Sequence, residues 1–176
     1  MDITSNQSAL GVAELVCQSN FSFLQAASHP EELVRQAYFL AYQAIAITDE
    51  CSMAGVVRAY TEIKDNHIPI KLIVGSLFKF EQQTLVFICP NKDAYKECCR
   101  IITNARRRAS KGEYELSEWD IRSLRHCFCI WLPSGTEHDE QKALWLSKHF
   151  KERLFLGVKR WLLANEQDYI SHCQSL

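Results

Sequence analysis

The sequence shows neither a long apolar run nor the residue pattern of a secretory leader. No stretch approaches the ~20 consecutive apolar residues that a helix needs to cross a bilayer. The first residues, MDITSNQSALG, lack a basic segment followed by an apolar one. The eight cysteines are therefore expected to be reduced thiols in a cytoplasmic protein. They also lack the paired C-x-x-C spacing of a structural zinc site, since only Cys98-Cys99 and Cys127-x-Cys129 come near it.

Charge and motif content exclude further classes of function. The net charge is -1, so no overall field draws the chain to nucleic acid or to an anionic membrane. None of the strings G-x-G-x-x-G, G-x-x-x-x-G-K and G-x-S-x-G occurs, which leaves a nucleotide-cradling loop and a serine nucleophile elbow unsupported. The six histidines are scattered, with none paired at metal spacing. The hydrophobic fraction of 47% is enough for one domain with a real core.

Apolar periodicity predicts alternating strands and helices. Residues 1–10 are unpatterned and are expected to be flexible, and residues 11–176 are expected to form one domain. Repeated passages from strand to helix indicate an α/β fold with mostly parallel strands and right-handed crossover helices. Gly75-Ser76-Leu77 is predicted to be a turn after a strand, and Ser28 is predicted to cap a helix. The predicted strands are 12–17, 44–47, 70–74, 84–89, 126–132 and 154–158, and the predicted helices are 30–42, 53–65, 91–109, a short one near 117–120, 136–150 and 165–173.

The stretch AIAITDECSMAGVVRAY, residues 44–60, joins a strand to a helix through a turn that carries carboxylates. In α/β folds with parallel strands, catalytic and metal-binding side chains lie at the C-terminal ends of strands. Asp49 and Glu50 occupy that place. The alternative interpretation is that both carboxylates cap the following helix at its positive N-terminal end.

Three stretches resemble one known family. These are ELVCQSNFSFLQAASHPEELVRQAYFLAYQAIAITDECSMAGVVRAY, KLIVGSLF and IITNARRRASKGEYEL. They are similar to the N-terminal polymerase-and-histidinol-phosphatase (PHP) domain of bacterial C-family DNA polymerases, above all to the error-prone, damage-associated paralogue of the replicative alpha subunit. The resemblance weakens after about residue 125. It implies a distorted barrel of about seven βα units, of which this chain would form a part.

The resemblance also implies a degenerate metal site. Active PHP domains hold divalent metals with His-x-His after the first strand, a loop carboxylate, Asp-His after the second strand and Gly-x-Glu after the third. Clustered divalent ions activate a water for phosphoester hydrolysis. In this chain only Asp49 keeps the residue type of the family, with Glu50 as a possible substitute for the histidine beside it, so we expect no catalytic residue and no bound cofactor. The matching positions are Val16 and Gln18, Gln25, Asp49 and Glu50, and Leu77.

Length sets a further expectation. A closed barrel of this kind needs upward of ~250 residues, and in the polymerases the palm, thumb and fingers follow it. The chain is therefore expected to be an incomplete PHP domain, from a truncated product, a split gene or a cut fragment, and not to be catalytic alone. We expect the chain to be a structural part of a polymerase that acts in DNA repair and translesion synthesis. Its expected partner is the palm and thumb segment or a second copy of the chain, and DNA would be contacted through the full polymerase. The alternatives are a free-standing interaction module and a residual metal-dependent phosphoesterase.

The densest positive patch is Arg106-Arg107-Arg108 with Lys111, at the end of a predicted helix. Such a patch is able to bind a nucleic-acid phosphate backbone. The alternative is that these cations complement the negative C-terminal end of the helix dipole and remain in water.

Overall fold

A computed structural model describes residues 11–160, 162, 164 and 166–176. The predicted flexible stretch 1–10 lies outside the described residues. In the part that is described, no helix is long and apolar enough to cross a membrane. The elements in chain order are β1 (Ala13–Glu14), α1 (Pro30–Phe39), β2 (Ala44–Ile47), α2 (Ala54–Asp65), β3 (Lys71–Phe80), β4 (Gln83–Ile88), α3 (Lys92–Arg108), α4 (Glu118–Arg122), β5 (Phe128–Leu132), α5 (Asp139–Phe150), a short 3-10 helix (Lys151–Arg153), β6 (Leu154–Leu156) and α6 (Glu166–Ser175).

The strands form one six-stranded sheet in the order β1-β2-β3-β4-β5-β6. Strands β1, β2 and β3 run parallel, and so do β5 and β6. The pairs β3–β4 and β4–β5 are antiparallel. Residues of β1 and β6, at opposite ends of this order, line one shared groove, so the sheet curls into half a barrel. The predicted α/β class, with parallel pairings in the majority, is confirmed.

Strand β3 is longer than the sequence predicts. Gly75-Ser76-Leu77 is not a turn, because β3 continues through it to Phe80 and pairs with β4 from Gly75 onward. Glu81 and Gln82 then reverse the chain with φ angles of 46° and 64°. Left-handed residues at both central positions are typical of a two-residue hairpin. Because a parallel neighbour needs a crossover of about a dozen residues or more, this short connection makes β4 antiparallel.

Helix α1 begins where the sequence predicts, but its capping residue differs. The capping residue is His29 and not Ser28, and α1 begins at Pro30. The backbone N–H of His29 donates to the Glu32 carboxylate across 2.8 Å. This contact and the proline at the first helical position place the cap one residue beyond the predicted Ser28.

The core lies on both faces of the sheet. Between β3–β5 and helices α3 and α5, the fully buried Phe78, Phe87 and Trp131 anchor the largest apolar cluster. Val34, Ile45, Ile47 and Ala59 are among the residues of a second cluster, between β2 and helices α1 and α2. A third cluster covers the concave face and contains Ala46, Leu77, Val86, Ile88, Ile130 and Leu132. Successive strand residues point to opposite faces, so Ile45 and Ile47 face the helices while Ala46 faces inward.

A buried carboxylate joins the last helix to the sheet. Asp139 is fully buried at the start of α5. It accepts hydrogen bonds from the Ser134 hydroxyl (2.9 Å), the Gly135 N–H (2.8 Å) and the Gln83 side-chain amide (2.9 Å), and His172 of α6 lies 3.1 Å away. Burial alone would raise the pKa of Asp139, but these donors together hold it below the ordinary value.

Candidate functional site

Asp49 anchors the loop after β1 to the end of β2. It lies two residues beyond β2 and is fully buried. Its carboxylate accepts from the Ser19 N–H at 2.7 Å and from the hydroxyls of Ser19 and Ser22, each at 2.8 Å. An ionised group is stable in the interior only when it is hydrogen-bonded in this way. The carboxylate is therefore a structural acceptor that holds residues 19–22 against the strand ends.

The interpretation of Asp49 and Glu50 as caps of α2 is wrong. The N-cap of α2 is Met53, and no side chain makes a capping hydrogen bond there. The Asp49 carboxylate does lie beside the first turn of α2. A Cβ atom on Gly55 would stand 2.5 Å from Asp49 Oδ2 and 2.9 Å from Ser19 Oγ. Glycine at this position allows the helix to approach the carboxylate, whose hydrogen bonds go to the loop.

Glu50 holds a chain of polar side chains together. The Tyr114 hydroxyl donates to its Oε1 at 2.7 Å, and the Lys79 ammonium lies 3.5 Å from its Oε2. The Gln25 side-chain amide also donates to Oε2, and its own oxygen accepts from the Gln18 amide at 3.2 Å. Burial raises the pKa of Tyr114, and the hydrogen bond to Glu50 raises it further. The phenol therefore stays protonated and acts as a donor.

Two apolar residues complete this rim. Leu77 is buried in β3, where its backbone pairs with the turn that carries Glu50. Val16 packs against the same concave-face cluster as Leu77. The fold therefore brings Val16 and Leu77, which are 61 residues apart in the sequence, to the same cluster.

The side chains present at this rim do not fit a divalent metal cluster. They supply carboxylates and amides but no imidazole, and both carboxylates are already occupied. Asp49 accepts three donors, and Glu50 has Tyr114, Gln25 and the cationic Lys79. Among the residues described, no group of three or more His, Cys, Asp or Glu side chains is placed to hold a metal ion. We therefore derive no chemistry through a metal here.

The predicted phosphate-binding patch is divided by the fold. Arg106 faces inward, where it donates to the carbonyls of Glu50 and Cys51 and of the loop at 112–113, and its guanidinium lies 5.4 Å from the Tyr114 ring centroid. Arg108 forms two hydrogen bonds with Asp120, at 2.6 and 3.0 Å. The remaining two, Arg107 and Lys111, are exposed. Phosphate binding stays a prediction, and it would have to rely on these two.

Several residues of this rim were not singled out from the sequence. Ser19, Ser22, Lys79 and Tyr114 hold the two carboxylates, yet each lies 27 to 64 residues from its partner. A serine in a polar loop and a tyrosine after a basic helix carry no local signal of such a role. The one available clue was the density of polar residues between β1 and α1.

The curled half-barrel is similar in fold to solved structures of other proteins. One solved structure with this fold is a putative metal-dependent phosphoesterase from Bifidobacterium adolescentis, at a TM-score of 0.62 and 12% identity over 94% of this chain and 84% of that one. Another is an amidohydrolase from Chromobacterium violaceum, at a TM-score of 0.57 and 12% identity over 92% of this chain and 82% of that one. Such low identity establishes the fold alone. Residues 14–160 match the PHP domain, and the chain belongs to the PHP domain family.

Curated relatives of this chain are named error-prone DNA polymerases. The one from Vibrio vulnificus is 58% identical over 165 residues, which is 93% of this chain and 16% of the relative. The one from Saccharophagus degradans is 45% identical over 166 residues, again 93% and 16%. The one from Pseudomonas aeruginosa is 44% identical over 149 residues, or 84% and 14%. The predicted resemblance is confirmed, and the chain spans about 16% of the length of the relatives from Vibrio vulnificus.

Proposed function

We propose that this chain is the N-terminal PHP portion of an error-prone DNA polymerase that acts in the cytoplasm, and that its work there is structural. It would pack against the rest of the polymerase polypeptide, which carries out DNA synthesis and contacts DNA. The hydrogen bonds that Asp49 and Glu50 accept support the absence of hydrolytic activity, because both carboxylates already have protein partners.

The observation that carries the proposal is an open apolar groove on the concave face of the sheet. Its volume is about 610 Å³. Phe155 of β6 is 51% exposed beside it, and Leu15 and Val158 are also exposed. Contiguous apolar surface of this kind marks an interaction site. The groove is lined by, among others, Val16, Ile88, Phe128, Ile130, Leu132 and Phe155.

Two strand edges flank the groove. In the described part of the chain, β1 pairs only with β2, and β6 pairs only with β5. An unpaired strand edge presents N–H and C=O groups that another strand is able to bind. Most of the length of the relatives lies outside the segment that this chain matches, so further polymerase polypeptide is the occupant that we propose for the edges and the groove.

The test is co-expression of this chain with the Vibrio vulnificus polymerase from which the matching segment has been removed. We expect a one-to-one complex by light scattering, without stoichiometric metal. Phe155→Ser, which removes an apolar side chain from the groove, should weaken the complex. Phe39→Ser is the matched control, because Phe39 is 81% exposed at the end of α1, away from the groove. A stable homodimer that ignores the polymerase segment would instead favour a free-standing interaction module.

A further inference from the structure

The loop between β1 and α1 presents two large apolar side chains to solvent. Phe23 is 82% exposed, and Leu24 is fully exposed. Leu24 also has a φ angle of +62°, in the left-handed region that residues other than glycine seldom occupy. We call Phe23 and Leu24 the rim tip. Single exposed apolar residues are ordinary, but two adjacent ones on a strained backbone require an explanation.

Hydrogen bonds anchor the loop that carries the rim tip. Ser19 and Ser22 bind the buried carboxylate of Asp49, as described above. Within the loop, the N–H groups of Gln25 and Ala26 donate to the Ser22 carbonyl at 3.0 and 3.2 Å. These hydrogen bonds anchor the loop on both sides of the tip. A preorganised surface loses less conformational entropy on binding than a mobile one does.

The surroundings of the rim tip indicate what kind of partner it fits. Residues 18–32 contain two carboxylates, Glu31 and Glu32, and no lysine or arginine. Beside the tip, Gln25 belongs to the neutral amide pair, and the charge of Glu50 is matched by Lys79. DNA and anionic membranes require clustered cations, which this stretch does not provide. A neutral apolar pocket on a protein meets these conditions.

From these observations we propose that the rim tip docks into an apolar pocket on the rest of the polymerase polypeptide. This inference rests on the proposed function, which supplies the partner, since most of the length of the relatives lies outside this segment. The rim tip, whose two residues do not line the groove between β1 and β6, would then serve as a second contact surface.

The test compares Phe23→Ser/Leu24→Ser with Trp119→Ser in the co-expression complex described above. Trp119 is equally exposed, at 81%, but lies on α4 and not on the β1–α1 loop. We expect the double variant to weaken the complex at least tenfold and the control to leave it within twofold. Ser22→Ala, which removes one contact to the anchor, should weaken it severalfold. Unfolding midpoints in urea show whether each variant remains folded.

The outcomes separate the inference from the proposed function. If the unaltered chain forms no complex, the proposed function fails. If it forms one and the double variant binds equally well, the rim tip is not a contact and only the inference fails. Sedimentation with vesicles that contain phosphatidylglycerol tests the membrane alternative. Binding there that depends on Phe23 and Leu24 would overturn the assignment to a protein partner.

Discussion

Replacing Asp49 by alanine tests whether this carboxylate is structural. The substitution leaves the buried Ser19 N–H and the hydroxyls of Ser19 and Ser22 without their acceptor. Hydrogen bonds to a charged group contribute about 1.5–3 kcal/mol each, and a buried donor left unpaired costs about 1–3 kcal/mol. Because the two hydroxyls are able to rotate toward other acceptors, we expect a total loss of about 3–5 kcal/mol. That is a large share of the ~5–15 kcal/mol that stabilises a typical domain.

The measurement is urea unfolding followed by circular dichroism, with and without a chelator. With a slope of about 2 kcal/mol per molar urea, the midpoint of Asp49→Ala should fall by roughly 2 M. The chelator should change neither protein, since the carboxylate is hydrogen-bonded to the loop. Asp93→Ala is the control, because Asp93 is exposed and forms a surface ion pair with Lys96 one turn away, so its midpoint should hardly move.

A different pattern would refute the structural interpretation of Asp49. In that pattern, the chelator lowers the urea midpoint of the unaltered chain to that of Asp49→Ala. The carboxylate would then be acting through a metal. Asp49→Asn adds a second check. The amide keeps one oxygen acceptor for the Ser19 N–H, so its loss should be smaller than that of alanine.

Two further predictions follow from the packing and from the buried acid. Gly55→Ala should lower the free energy of unfolding by about 1–3 kcal/mol, because the added methyl group would stand 2.5 Å from Asp49 Oδ2. We expect this clash to outweigh the ~1 kcal/mol by which alanine favours helices over glycine. An unchanged or higher urea midpoint would contradict this prediction. Burial raises the pKa of Asp139, but its serine, glutamine and backbone donors outweigh that effect and lower it from 3.8. The Asp139 carboxylate therefore takes up its proton at a lower pH in the folded state than in the unfolded chain. The contribution of this carboxylate to the free energy of unfolding is complete above about pH 4 and is lost as the pH falls further. Urea midpoints measured from pH 7 to pH 3 should show this loss of stability. The midpoint of Asp139→Asn should fall less over the same pH range. An equally steep fall in that variant would contradict the role given to Asp139.

The hairpin between β3 and β4 differs from what the sequence predicts. The sequence predicts a turn at Gly75-Ser76-Leu77, after the end of a strand, and this prediction is wrong. In the structure Gly75 lies in β3, where a Cβ atom would stand 2.7 Å from the Phe87 carbonyl of β4. The close approach of the neighbouring strand is what requires glycine. That neighbour becomes apparent only once the strands are paired.

Four features could be predicted from the sequence alone: the order of the elements, the α/β class, the place of Asp49 after β2 and the family. Each of these depends on local periodicity or on residues in unbroken order. The tertiary structure decided the partners: Asp49 with Ser22 across 27 residues, and Arg106 with the Cys51 carbonyl across 55. It also decided that Phe23 faces solvent. Such contacts form only when segments that are distant in the sequence pack together. The residues on either side of a side chain do not identify the distant segment that it will contact.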